Sequence, residues 1–313
     1  MTMTRRTALT TGAALPLAAI APMTAAAQSG TAPPSREQDR APRFHRFVFG
    51  DMRITVLLAG EQAGDNPHAT FGLNASDEDF AALSASNFIP ADRTFSNYCP
   101  VVVETEDSVV LFDTGLQPDA LLSVMEEAGL APDAIRTVII THMHGDHIGG
   151  LSAEGTLTFP QADLVTGRVE MEHWQNAGGE AFEAKVRPFI DDFRLIEGAE
   201  EVVPGIRAME AFGHSPGHMA FMLTNGEGER LLLTADTANH FVWSLARPEW
   251  EVRFDMDKPA AIATRQMILG MLADDRIPFI GYHMPFPAVG FVARQDEGYR
   301  FVPATYQFKL AAS

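Results

Sequence analysis

Cysteine is almost absent: Cys99 is the only one in 313 residues, so no internal disulfide can form even in an oxidising compartment. Stability must then come from a packed core, helped by any bound cation. Cys99 itself has two readings, a nucleophile or metal ligand on one side and a small packed residue beside Tyr98 and Pro100 on the other. Basic residues are scarce too, with 23 Lys+Arg against 41 Asp+Glu and a formal net charge of -18. A chain this acidic repels phosphate backbones and anionic lipid, which disfavours nucleic acid and membrane surfaces as partners. Acidity alone points to no substrate. No permanent membrane span is expected either, because the apolar run Ala13 to Ala21 falls well short of the roughly 20 residues a spanning helix needs. From Phe44 onward there is no second low-complexity break, which argues for one domain.

What is present is a globular balance, 46% hydrophobic and 20% charged, in a chain long enough to bury a large core. Arg5-Arg6 precede the apolar run, and Ala25 and Ala27 stand as an A-x-A cleavage site before Gln28. Residues 1–27 therefore read as a twin-arginine signal peptide, which predicts a periplasmic or secreted protein. Residues 28–45, rich in Pro, Ser, Arg and Gln, read as a linker. Residues 46–313 read as the folded domain, and nothing in its sequence excludes a homodimer.

The patterning predicts strands and helices in alternation. Phe47–Phe49 and Met52–Leu58 flank Gly50-Asp51 as a hairpin, and Val101–Thr105 pairs with Ser108–Phe112 in the same way. Ser76 with Asp79 marks a helix start, and a second helix runs from Pro118 to Ala128, closed by Gly129. Thr137 to Ile140 is β-branched and wholly apolar, the pattern of a strand buried on both faces. Ile206–Ala211, Met219–Leu223 and Leu231–Thr234 read as strands, with a turn at Asn225-Gly226. Ala260–Leu272 reads as a helix and Ile277–Ile280 as a strand. Interspersed strands and helices in both halves suggest stacked sheets covered by helices, an α/β fold.

The strongest chemical signal is Thr141-His142-Met143-His144-Gly145-Asp146-His147-Ile148-Gly149-Gly150, directly after the buried strand. In extended chain His142 and His144 project to one side. Gly145 lets the chain turn, so Asp146 and His147 can face the same point from a helix start. Three imidazoles and a carboxylate within six residues are costly to pack unless a cation organises them, and they form the N/O donor set of zinc and similar metals. The competing reading is a solvated polar loop.

This run resembles the H-x-H-x-D-H signature of the metallo-β-lactamase superfamily. Asp113-Thr114-Gly115 stands upstream, Gly213-His214-Ser215-Pro216-Gly217-His218 follows, and Asp236 and His283 complete the order. The resemblance covers roughly residues 46–313 and implies a four-layer αββα sandwich of the metallo-β-lactamase type, with the metal site at one edge between the sheets. It implies that His142, His144 and His214 hold one metal, Asp146, His147 and His283 the other, and that Asp236 bridges both. Two divalent ions, zinc by expectation, would then share a hydroxide that attacks the scissile bond, with Asp146 and Asp236 as the carboxylates of the reaction. Asp113 is either an acceptor for a ligand imidazole N–H or a turn-forming residue before Gly115. His218 lies outside the full ligand set, as a supporting histidine.

Gly281-Tyr282-His283-Met284-Pro285-Phe286-Pro287, Val203-Pro204-Gly205-Ile206 and Gly298-Tyr299-Arg300-Phe301-Val302-Pro303 resemble the exported methyl-parathion-hydrolase-like branch, neighbour to the quorum-quenching lactonases. Two departures concern the substrate: Leu116-Gln117-Pro118 offers no aromatic, and Thr237-Ala238-Asn239-His240 stands where the lactonases carry a Tyr. The implied activity is ester or lactone hydrolysis of a small molecule. Phosphotriester hydrolysis is the alternative, and a metal-binding protein without turnover is a remoter one. Trp174, Phe182, Trp243 and Phe286 are candidates for the apolar pocket wall, each open to an ordinary core role.

Overall fold

The apolar runs of the chain build two seven-stranded sheets, one from each half of the sequence. In the computed structural model, which describes residues 41–310, the first sheet runs in space through Phe44–Phe49, Met52–Leu57, Val101–Glu104, Val109–Phe112, Thr137–Ile140, Asp163–Gly167 and Phe193–Ile196. The second runs through Glu201–Val203, Ile206–Glu210, Met219–Thr224, Arg230–Ala235, Phe279–Gly281, Val289–Gln295 and Gly298–Pro303. The segment read as a signal peptide, and the segment read as a linker as far as Arg40, lie outside the described residues.

Side-chain alternation assigns the layers. Val101, Val103, Val110, Phe112 and Ile139 join Phe221, Leu223, Leu231 and Leu233 in one core between the sheets. Their neighbours Val102, Leu111, Val138 and Ile140 point the other way, onto Leu121, Val124 and Met125 of helix Pro118–Glu127 and Met171 of helix Arg168–Ala177. Helix Lys258–Asp274 packs against the second sheet and buries Ile268, Leu269 and Leu272. The result is the expected αββα sandwich. Each side chain moved from water into such a core contributes about 1.5–3 kcal/mol.

Local signals place several elements as read. Ser76 caps helix Asp77–Ser86 by accepting from the Asp79 N–H at 3.0 Å. Asp257 does the same for helix Lys258–Asp274, accepting from the Ala260 N–H at 3.1 Å. Other elements differ. The first strand begins at Phe44, inside the segment read as linker, with Phe44 and His45 paired to Leu57 and Val56. Arg43 is anchored by a 2.9 Å ion pair to Glu127. A two-stranded hairpin, Gly60–Asp65 with Arg93–Tyr98, carries no apolar alternation and was not legible as strands. The strand expected at Ile277 begins at Phe279.

Strand direction positions the chemistry. Val109–Phe112 runs parallel to Thr137–Ile140, and Arg230–Ala235 parallel to Phe279–Gly281. Residues just beyond the C-terminal ends of these four strands, Asp113, His142, Asp236 and His283, therefore emerge at one edge of the sandwich. No helix among the described residues is long and apolar enough to cross a membrane.

Candidate metal centre

Two groups of donor atoms meet at that edge. The ring nitrogens of His142, His144 and His214 form one, and Asp146, His147, Asp236 and His283 form the other, each with its donor atoms within 4.8 Å of one another. His144 Nδ1 lies 3.1 Å from His142 Nε2 and 3.0 Å from His214 Nε2. His147 leaves the short helix Gly145–Ile148, the turn that Gly145 permits. Asp236 stands between the groups: Oδ2 is 3.3 Å from His214 Nε2 and 3.2 Å from His283 Nε2, and Oδ1 is 3.3 Å from His147 Nε2. Ala235 adopts φ 42, a left-handed backbone that a β-carbon disfavours, and this bend turns Asp236 inward.

Outer hydrogen bonds fix the ring orientations. His147 Nδ1 donates to Asp113 Oδ2 at 2.8 Å, and Asp113 Oδ1 accepts the Thr141 N–H at 2.8 Å. His214 Nδ1 donates to Asp255 Oδ1 at 2.9 Å, and His283 Nδ1 to the Asn97 carbonyl at 2.9 Å. With Nδ1 so engaged, each of these three rings presents Nε2 inward as a donor atom for a cation. His218 differs: Nδ1 meets the Ala211 carbonyl at 3.0 Å, and Nε2 accepts the Asp236 N–H at 3.0 Å, so both nitrogens are used by backbone.

Electrostatics frame the same demand. Burial pushes the Asp236 carboxyl up, but His283 and His147 overcome it and hold it well below the ordinary range. Burial likewise opposes ionisation of Asp146, and His147 and His283 bring it down to about 2. His142 goes the other way, pushed well below its usual value by burial and by the neighbouring imidazoles His147, His144 and His214. The residues fit a pair of divalent cations on a direct structural test. His147 Nε2 and Asp236 Oδ1 are buried, face each other and have no hydrogen-bond partner, an arrangement that costs free energy unless a ligand satisfies both atoms. Five imidazoles and two carboxylates form the N/O donor set of zinc-type ions.

A cavity of about 460 Å³ opens onto the centre, walled by Phe71, Ser96, Tyr98, Leu116 and Phe254 and floored by His144, Asp146, His214, Asp236, Asn239 and His283. A larger hollow of about 570 Å³, beside Asn87 and Arg247, holds none of the clustered histidines. Trp174, Phe182, Trp243 and Phe286 do not wall the 460 Å³ cavity. Phe182 and Trp243 are buried in separate apolar clusters, and Phe286 packs on the central core. Trp174 lies nearer, its ring 6.0 Å from that of His144, but its indole N–H is spent on Glu170. Cys99 is buried in the central core, where burial pushes its thiol up, so it sits as a packed residue. Sequence reading missed Asp255, Asn97, Glu170, Tyr98, Phe71 and Phe254, none of which belongs to a motif. The aromatic side chains that border the cavity, Phe71, Tyr98 and Phe254, come from segments away from the one after Gly115.

Fold, strand-end donors and paired clusters together define a two-metal site of the metallo-β-lactamase kind. Residues 97–278 match the model of the Metallo-beta-lactamase superfamily, and the chain belongs to that superfamily. It is 26% identical over 162 residues to the N-acyl homoserine lactonase AiiA of Bacillus thuringiensis subsp. kurstaki, an alignment covering 44% of this chain and 62% of the relative, less than two thirds of that relative's length. The fold is shared with AidC, a dizinc quorum-quenching lactonase in complex with N-hexanoyl-L-homoserine, at TM-score 0.77 and 22% identity over 84% of this chain and 98% of that one. The hydrolase AbOPH has the same fold at TM-score 0.78 and 21% identity, over 86% of this chain and 99% of that one.

Proposed function

We propose that this protein is a zinc-dependent hydrolase that opens the ring of acyl-substituted lactones, adding water across the ring C–O bond to give the hydroxy acid. The observation that supports this best is Asp236 standing between two donor clusters on the floor of a cavity with an apolar wall. Similarity to the lactonases supports the substrate class. When bound, the cations supply Lewis acidity and water acidic enough to act as a nucleophile near neutral pH.

The chain's own groups do the rest. Asp146 and Asp236 are held ionised, so they enter as charges that balance the cations rather than as proton donors. Asn239 donates to Asp236 Oδ2 at 3.0 Å and fixes the carboxylate plane. Phe71, Leu116 and Phe254 offer an acyl chain a dry surface. Tyr98 sits on the same wall, its hydroxyl bonded to Gln62 Oε1 at 2.7 Å. Burial and the nearby Asp146 and Asp236 push that phenol up to about 12, and its hydroxyl faces the cavity wall as a hydrogen-bonding group.

The test is kcat/KM on the zinc-loaded chain for an acyl homoserine lactone, an aryl ester, a phosphotriester and a β-lactam, with His144→Ala as background. The lactone is expected to lead, with the β-lactam near background. A phosphotriester rate ten times the lactone rate would move the assignment to organophosphate hydrolysis. Equal rates for wild type and His144→Ala on every substrate would leave only a metal-binding role.

A further inference from the structure

Glu170 is the fully buried acid whose neighbours explain it least by local structure. It lies in the first turn of helix Arg168–Ala177, belongs to neither donor cluster and has no exposed surface. Its oxygens accept four hydrogen bonds. Oε1 takes the Met143 N–H at 2.9 Å and the Trp174 indole N–H at 2.7 Å, and Oε2 takes the Ser215 hydroxyl at 2.6 Å and the Gly217 N–H at 2.9 Å. Met143 stands between His142 and His144, and Ser215 and Gly217 lie one and three residues after His214. One carboxyl group thus ties the two loops that deliver the three-histidine cluster, and those loops leave different sheets. The approach is close: a β-carbon on Gly217 would lie 2.1 Å from the Glu170 nitrogen, so that position tolerates only glycine.

We propose that Glu170 is a positioning residue for one cation, setting the separation of the His142/His144 loop from the His214 loop and hence the affinity of the three-histidine site alone. This rests on the two-cation reading above. The Asp146/His147/Asp236/His283 site has other supports, Asp113 and the Asn97 carbonyl, which Glu170 does not touch. A glutamine cannot replace the acid, because three of the four partners are N–H groups that only donate, and an amide NH₂ must face at least one of them.

The experiment is zinc titration against a chromophoric chelator. Wild type should hold two tight equivalents. Glu170→Gln should keep one and weaken the other about 10- to 100-fold, the usual effect of losing an outer support of a metal ligand. His144→Ala should already lack the affected equivalent, so adding Glu170→Gln to it should leave the remaining site unchanged. Weakening of both sites by Glu170→Gln, or of neither, overturns the proposal while wild-type stoichiometry stays at two. Fewer than two equivalents in wild type instead sinks the two-cation reading. If Glu170→Gln does not fold, Ser215→Ala and Trp174→Phe decide. Loss of the loop donor should weaken one equivalent and loss of the indole donor should weaken none, and equal behaviour of the two variants overturns the proposal.

Discussion

His240 shows how a single residue reports its surroundings. Its ring is stacked on Trp243 at 3.8 Å, and Nδ1 accepts the Val242 and Trp243 N–H groups, both at 3.2 Å. Burial pushes its pKa down to about 3 from 6.5. A depressed folded pKa means that the unfolded chain takes the proton first. The neutral ring's contribution is therefore complete above about pH 6.5 and lost progressively as pH falls towards 3. The loss is about 1.4 kcal/mol for each pH unit inside that window. His240→Asn keeps an acceptor for the two N–H groups but cannot titrate. Its stability by urea denaturation should be lower than wild type at pH 7, with the gap closing from pH 6 to pH 4. A gap independent of pH would show that His240 does not carry this proton linkage.

At the scale of elements, helix Lys258–Asp274 does more than cover a sheet. Its Arg265 is fully buried and donates to Asp255 Oδ2 at 2.6 Å and to the carbonyls of Thr237, Pro248 and Trp250 at 3.0–3.1 Å. Asp255 in turn holds His214. The helix thereby fastens the loop after Asp236 and the loop that orients His214 in one step. Burial pushes the Asp255 carboxyl up, but the His214 hydrogen bond and the Arg265 guanidinium bring it below its ordinary value. Arg265→Met strands a buried carboxylate and three carbonyls, and should destabilise the protein by about 3–5 kcal/mol. Chemical denaturation checks this. A loss under 1 kcal/mol, on the order of a surface ion pair, would show that the network is not a structural tie.

For the whole molecule, the net charge of -18 and the Arg5-Arg6 pair, read from the sequence as part of a twin-arginine signal, bear on where it is expected to work and what it meets. The strongly negative field slows encounter with polyanions and leaves neutral lactones and esters unaffected. Export is expected to depend on the paired arginines, because the twin-arginine route reads them as an address. That route also carries folded proteins, so the metals can be acquired first. Arg5→Lys with Arg6→Lys should trap the precursor in the cytoplasm, scored by fractionation. Normal periplasmic yield of the double variant would refute the route.

The sequence by itself determined several of the strands and helices and the family. Alternation along Val101–Phe112 and the apolar run Thr137–Ile140 encode two-faced burial locally, and His142 to His147 carry four donors within six residues, with Gly145 at the turn that lets them converge. Hairpin Gly60–Asp65 with Arg93–Tyr98 was illegible because its first strand buries no side chain and its second buries only Asn97 and Tyr98 at its end, so no apolar period marks it. Only the tertiary structure decided what surrounds the donors. Asp255 reaches His214 across 41 residues, Glu170 reaches Gly217 across 47, and Asn97 reaches His283 across 186. Cavity walls such as Phe71 and Phe254 are set in the same way. Local periodicity follows from backbone geometry and is written in neighbouring residues. The partners of a buried polar atom are whichever groups packing brings within 3 Å, and no spacing in the sequence records them.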